Sequence, residues 1–334
     1  MPNGKKGGIF ICTAAVVFGK NALFGRNLDL EHRYGETVTV TPRNFPFVFR
    51  HMPENAFHYA MMGVAFISEG YPLYYDAINE HGLFIAALNF PESAVYKPKN
   101  EDKYNVAPFE FIPFILGSCA TAKEAGSILE HVNITSTDFS ENLPAAPLHW
   151  IIADEKEAFS VEPTAEKLKI HENPVGILTN EPPFEFHITN LRRYLSIGAN
   201  EPQSNFSDKF TMEPFGRGFG GKGLPGDLSS DSRFIKAAFT KLNCVFSGTE
   251  EETVTQFFHV LGSVEQQEGC VRLKTGELEK TVYSSCANPK SKKYYYRTYE
   301  NSRISAVDMI KENLNGKELS SYPFISKADF FMQN

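Results

Sequence analysis

Long apolar runs are missing from this chain, and so is any surplus of positive charge. No stretch reaches the roughly 20 residues a membrane-spanning helix needs, so no membrane partner is expected. Lys and Arg total 33 against 40 Asp and Glu, a net charge of −7. A nucleic-acid binder would carry a basic stripe, and none is expected to bind here. The compact basic run Lys290–Lys293 reads as a solvated hairpin tip. Tryptophan occurs once. The five cysteines (12, 119, 244, 270, 286) are odd in number and include no C-x-x-C pair. That fits neither a disulfide framework nor a zinc site and suggests a reducing, cytoplasmic location. G-x-S-x-G, H-E-x-x-H and Walker-type signatures are all absent. The nine histidines show no metal-ligand spacing, so no metal is expected. Gly216-x-Gly218-x-x-Gly221 matches the dinucleotide fingerprint as a bare pattern. It runs on as Gly220-Gly221-Lys222-Gly223-Leu224-Pro225-Gly226, leaving no helix whose N-terminus could hold a pyrophosphate. No nucleotide or other cofactor is expected.

What is present is material for a large core. Hydrophobic residues make up 42% of 334, with 29 Phe and 14 Tyr, enough for a core and an apolar pocket besides. Strand-like runs cover Ile9–Phe18, Leu23–Leu28, Thr37–Thr41 and Leu83–Leu88, then Leu148–Ala153, Ala158–Pro163, Lys167–His171 and Val175–Thr179. Thr281–Ala287 and Lys293–Tyr299 flank Asn288-Pro289-Lys290-Ser291 as a hairpin. Capping boxes at Thr121-x-x-Glu124 and Thr249-x-x-Glu252 open two helices. In the second, Val254, Phe257, Phe258 and Leu261 form the apolar stripe. A third helix starts near Ser230, with Phe234, Ala237, Ala238 and Leu242 on its apolar face. Grouped strands and grouped helices predict an antiparallel, layered α+β fold in one domain.

Cys12 lies in a predicted strand near the start of the chain, followed by the small residues Thr13-Ala14-Ala15. A lone cysteine is ordinarily a small buried hydrophobe. A cysteine at a chain terminus differs, because its α-amine, with a pKa of about 8, can accept the thiol proton. A nearby cation would favour the thiolate. Arg26 and Asp29 are near in sequence, but three apart in a strand they need a local twist for both to face Cys12. Without it they form a structural ion pair.

The segment Cys12-Thr13 … Phe24-Gly25-Arg26-Asn27-Leu28-Asp29 resembles the opening of the choloylglycine hydrolase family, which holds bile salt hydrolases and penicillin V acylases. Further matches follow in order. They are Asn79-Glu80-His81-Gly82-Leu83 with Ala87-Leu88-Asn89-Phe90-Pro91, Leu148-His149-Trp150, and Gly176-Ile177-Leu178-Thr179-Asn180. Then come Gly223-Leu224-Pro225-Gly226-Asp227 with Ser232-Arg233-Phe234, Tyr283-Ser284-Ser285-Cys286, and Tyr294-Tyr295-Tyr296-x-Thr298-Tyr299-Glu300-Asn301. The resemblance implies a four-layer αββα sandwich of the N-terminal-nucleophile type. It implies Cys12 as nucleophile with its freed amine as base, Arg26 beside the sulfur and Asp29 orienting the amine. Asn89 and Asn180 would donate to the oxyanion, and Arg233 would stabilise charge in the same pocket.

Asn89 is of the bile-salt-hydrolase type, where penicillin V acylases tend to have Tyr. The expected reaction is therefore hydrolysis of glycine- or taurine-conjugated bile acids, with penicillin V or another N-acyl amide as the alternative. Leu28, Phe66, Ile67 and Ile134 align approximately with pocket-forming loops. The segment 190–223 resembles the insertion through which bile salt hydrolases form homotetramers. Residues 1–11 precede the nucleophile, so the mature domain is expected to be 12–334, reached by autocatalytic removal of a leader or by initiation at Ile11. A chain retaining the leader would instead be a hydrophobic-ligand-binding protein.

Overall fold

The computed structural model describes residues 11–52 and 58–334; residues 1–10 of the expected leader, with the predicted strand start at Ile9, lie outside the described residues. The chain opens with β1 (Ile11–Val17), β2 (Leu23–Leu30), β3 (Thr37–Thr41), β4 (Met61–Ser68), β5 (Tyr71–Asn79), β6 (Phe84–Asn89) and β7 (Tyr104–Val106). Helices α1 (Phe111–Ser118) and α2 (Ala122–Leu129) follow, then β8 (Val132–Ile134), β9 (Leu148–Ala153), β10 (Ala158–Pro163), β11 (Leu168–Glu172) and β12 (Ile177–Leu178). Next come α3 (Phe184–Asn190), α4 (Ser230–Asn243) and α5 (Glu250–Gly262). The last strands are β13 (Val271–Arg272), β14 (Leu278–Asn288), β15 (Lys293–Thr298), β16 (Ser305–Asp308) and β17 (Ser320–Pro323).

Among the described residues these strands form two large sheets and a two-stranded one, β7 with β8. One large sheet runs β12-β1-β2-β14-β15-β16 with β13 beside β14, the other β11-β10-β9-β6-β5-β4-β3-β17. Helices α4 and α5 cover the first and α1 and α2 the second, so the order of layers is helix, sheet, sheet, helix. Stacking hides both faces of a sheet, which is why all eight residues of β2 are buried, Arg26, Asn27 and Asp29 among them. Phe24 of β2 stacks on Phe84 of β6 across the gap, ring centres 5.5 Å apart.

The helices follow their apolar stripes, with one exchange. Val254, Phe257, Phe258 and Leu261 of α5 are buried, and both halves of its capping box form. In α4, however, Leu242 is 60% exposed while Lys241 is buried. The ammonium reaches the Val175 carbonyl at 2.7 Å and lies over the Phe18 ring. Burial pushes it down to about 8. A long stem ending in a donor can cover apolar surface and still satisfy its head.

Gly25 is required where it stands. A Cβ there would lie 2.0 Å from the Ser285 carbonyl oxygen, so β2 and β14 can approach only over a bare backbone. The matched Asn79–Leu83 segment is structural: the Asn79 oxygen accepts the His81 and Leu83 amides, and its nitrogen donates to the Leu116 and Cys119 carbonyls. That amide pins the β5–β6 turn to the end of α1.

Candidate active site

Strand pairing decides which side chains meet Cys12. In the β1–β2 pair Cys12 lies opposite Leu28 and Ala14 opposite Arg26. Period-two alternation therefore puts Cys12, Leu28 and Arg26 on one face, the face between the two sheets. Arg26 Nη2 donates to Cys12 Sγ at 2.6 Å. Its Nη1 donates to the carbonyls of Ala87 (2.5 Å) and Tyr75 (3.0 Å), both in the opposite sheet. Arg26 is thus rooted in one sheet and clamped by the other. Burial pushes the Cys12 thiol up, with Arg26 and Arg233 opposing and Asp29 assisting.

No twist brings Asp29 round to that face. It lies opposite Ile11, on the helix side of β2, because the pairing of β2 with β1 is regular throughout. The two residues flank Cys12 from different sides, and they are not an ion pair. Asp29 Oδ1 accepts from the Thr281 hydroxyl at 2.5 Å, while Oδ2 has no hydrogen-bond partner among the described residues. Burial, against the pull of Arg233, pushes the Asp29 carboxyl up to about 6. Glu279 accepts the Ile11 amide at 3.2 Å; burial and then Asp29 push it up to about 8.

Arg233, in the first turn of α4, donates from Nη1 to the Cys12 carbonyl (2.5 Å) and to Thr13 Oγ1 (2.6 Å). Its Nη2 donates to Asn180 Oδ1 at 2.8 Å. The same Asn180 oxygen accepts the Cys12 main-chain N–H at 2.8 Å. Two donors aimed at one atom fix the amide's orientation, so Nδ2 points away and donates to the Asn89 carbonyl at 2.9 Å. Asn89 ends β6 and is buried. The Asn180 main-chain amide donates to Ser230 Oγ at 2.9 Å, tying this corner to the start of α4.

Five segments (β1, β2, the end of β6, the residue pair after β12, and α4) thus supply Cys12, Arg26, Asp29, Asn89, Asn180 and Arg233. Both the sulfur and the nitrogen of Cys12 are engaged, the first by a guanidinium and the second by an amide oxygen. A nucleophile and its own base can be held in this way within one residue.

The pocket residues divide. Leu28 is buried beside Cys12. Phe66 and Ile67 are half-buried in the second half of β4, opposite Leu73 and Pro72. Ile134 is not brought to Cys12. It lies in β8, buried in the helix-side core with α1 and α2, and lines a separate cavity of about 490 Å³ among Lys97, Lys99, Lys103 and Lys167. Pairing of β8 with β7 holds it on the far side of the eight-stranded sheet. Thr13, Ser230, Thr281 and Glu279 were missed by the sequence reading; only Thr13, in the Cys12-Thr13 pair, stood in a recognised motif.

Known proteins share this architecture. The family profile described as linear amide C-N hydrolases, choloylglycine hydrolase family, matches residues 12–322. A bile salt hydrolase/transferase from Lactiplantibacillus plantarum is 48% identical, covering 97% of this chain and 100% of that one. The crystal structure of a mutant conjugated bile acid hydrolase from Clostridium perfringens superimposes with a TM-score of 0.89 at 35% identity, covering 97% and 100% of the two chains. A penicillin V acylase from Agrobacterium tumefaciens shares the fold, with a TM-score of 0.74 at 19% identity over 95% and 94%. On sequence and architecture together, the chain belongs to the choloylglycine hydrolase family of linear amide C-N hydrolases.

Proposed function

We propose that this protein hydrolyses the amide bond of glycine- or taurine-conjugated bile acids, with Cys12 as nucleophile. The observation that carries the reading is the pair of contacts on Cys12, Arg26 at the sulfur and Asn180 at the nitrogen. With the α-amine freed from residues 1–11, the nitrogen takes the thiol proton and the sulfur attacks the amide carbon. The oxyanion of the tetrahedral adduct is met by the Asn89 and Asn180 amides, with Arg233 adding positive charge; each such donor contributes about 3 kcal/mol. The C–N bond breaks as the leaving amine takes the proton from the Cys12 ammonium, leaving a thioester. Water, deprotonated by the same amine, then attacks the thioester, releasing the bile acid and restoring the thiol. Asp29, buried and half-satisfied, orients the amine.

Substrate class is supported by the relatives named above and by Asn89. Leu28, Phe66 and Ile67 are the apolar side chains we assign to the steroid. Turnover of glycocholate and taurocholate beside penicillin V tests this, together with the intact mass of the active chain. Faster penicillin V turnover reverses the substrate assignment, and an active chain that still begins at Met1 removes the amine mechanism. Assembly as a homotetramer is supported by the exposed Leu195, Phe206, Phe210 and Phe215 in the segment 190–223. Light scattering that returned a monomer would end that reading. A cytoplasmic location is supported by the five unpaired cysteines.

A further inference from the structure

His149 touches both segments that carry the oxyanion asparagines. Its ring stacks face to face on Phe90, the neighbour of Asn89, with centres 4.3 Å apart and planes 4° apart. Its Nε2 lies 2.9 Å from the carbonyl of Thr179, the neighbour of Asn180. A carbonyl only accepts, so Nε2 carries a hydrogen. The other ring nitrogen, Nδ1, faces Glu162 Oε1 at 3.1 Å, and one proton must lie between them. Both side chains are fully buried. The same Glu162 oxygen accepts the Phe184 main-chain N–H at 3.0 Å. Glu162 therefore holds one end of the corner from Thr179 to Phe184 directly and the other through His149, and Asn180 sits within it. His187 holds its middle, with Nε2 3.1 Å from the Asn180 carbonyl. Glu181 clasps the other segment, accepting the Glu92 and Ser93 amides and the Ser93 hydroxyl at 2.8–3.0 Å.

Resting on the proposed reaction, we infer that His149 and Glu162 are positioning residues for the oxyanion site: they set the distance between the Asn89 and Asn180 segments without touching substrate. Glu162 Oε2 has no hydrogen-bond partner among the described residues and lies 3.8 Å from His171 Nε2, so the pair is held through Oε1 and the two ring nitrogens, and its cost is recovered only if each of these keeps its partner. Donors preorganised for an oxyanion need rigidity, since misplacement by about 1 Å can cost roughly 100-fold.

The test separates two reactions of the same sulfur. Acylation by p-nitrophenyl acetate passes through a tetrahedral oxyanion, whereas alkylation by iodoacetamide does not. Glu162→Gln and His149→Phe, the latter keeping the stack on Phe90 but losing the donor to Thr179, are expected to slow the p-nitrophenol burst about 10- to 100-fold. Alkylation of Cys12, followed by peptide mass, should stay within about twofold of wild type, and KM for glycocholate within about threefold. His149→Gln, which restores one donor, should recover part of the burst. An unchanged burst, or a burst and an alkylation rate that fall together, overturns the inference. Cys119 and Cys286, both buried, serve as the folding control. If Glu162→Gln exposes them to alkylation, His149→Gln decides the matter by the same two rates. Wild type that shows the burst yet leaves glycocholate intact would remove only the bile acid assignment.

Discussion

Arg233 and Asn180 meet through a single hydrogen bond of 2.8 Å, and the oxygen that accepts it is also the one that holds the Cys12 nitrogen. Helix α4 is thereby wired to the segment that follows β12, at the main-chain nitrogen of Cys12. The arrangement lets charge on Arg233 act on the thiol and on Asn180 together.

Arg26 meets Cys12 at the sulfur. Arg26→Leu removes the Nη2 contact and leaves two main-chain carbonyls, of Ala87 and Tyr75, without their donor. Alkylation of Cys12 at neutral pH should slow at least about 10-fold, and its pH-rate profile should shift upward by about one unit. Arg26→Lys should not restore it, because one ammonium cannot serve three acceptors in a fixed fork. An unshifted profile in the Leu variant would remove Arg26 from the mechanism.

Thr281 tunes Asp29. Its hydroxyl donates to the carboxylate and so favours the charged form, against burial that pushes the group up to about 6. Thr281→Val should move the acid limb of kcat/KM toward higher pH, by roughly half to one unit. A limb that stays in place would show that Asp29 does not govern it.

Glu279 should make stability depend on pH. Its folded pKa, about 8, lies above the ordinary carboxyl value of about 4.3. The folded chain therefore holds a proton that the unfolded chain releases, a contribution complete below about pH 4 and lost as pH rises through 8. Glu279→Gln mimics the protonated form. The variant should match wild type near pH 4 and melt several degrees higher at pH 8, about 5 °C. Equal melting at both values would contradict the burial argument.

Gly25→Ala tests the close approach of β2 to β14. With Ser285 O only 2.0 Å from the added carbon, the strands must separate beside Arg26. Loss of at least about 2 kcal/mol is expected, read as a lowered urea midpoint. A neutral substitution would mean that the sheet gives way easily here.

The sequence made some of this visible and hid the rest for physical reasons. The strands at both ends, the three amphipathic helices and the hairpin tip at Lys290 follow from local pattern. Strands β4 and β5 escaped notice because both faces of much of each are buried and alternation is lost; the Glu69-Gly70 turn, both residues at positive φ, was the available signal. Helix α1 is nearly all buried, so no stripe marks it. Position decided the site. Arg26 and Asp29 were both named, yet their separation onto opposite faces required the register with β1. Ile134 lies in the other core for the complementary reason: an apolar residue fits either core equally well, and only the sheet between them distinguishes the two. Lys241 and Leu242 exchange roles because a carbonyl, that of Val175, waits on the buried side of α4.

The bonds around Cys12 join residues 168 and 221 positions apart, and such distant encounters close late when a chain collapses. After dilution from denaturant, helix content and aromatic burial should return before turnover does. Catalytic competence is then a report on the last contacts made, and the lag between the two signals measures how long the molecule spends shaped but inert.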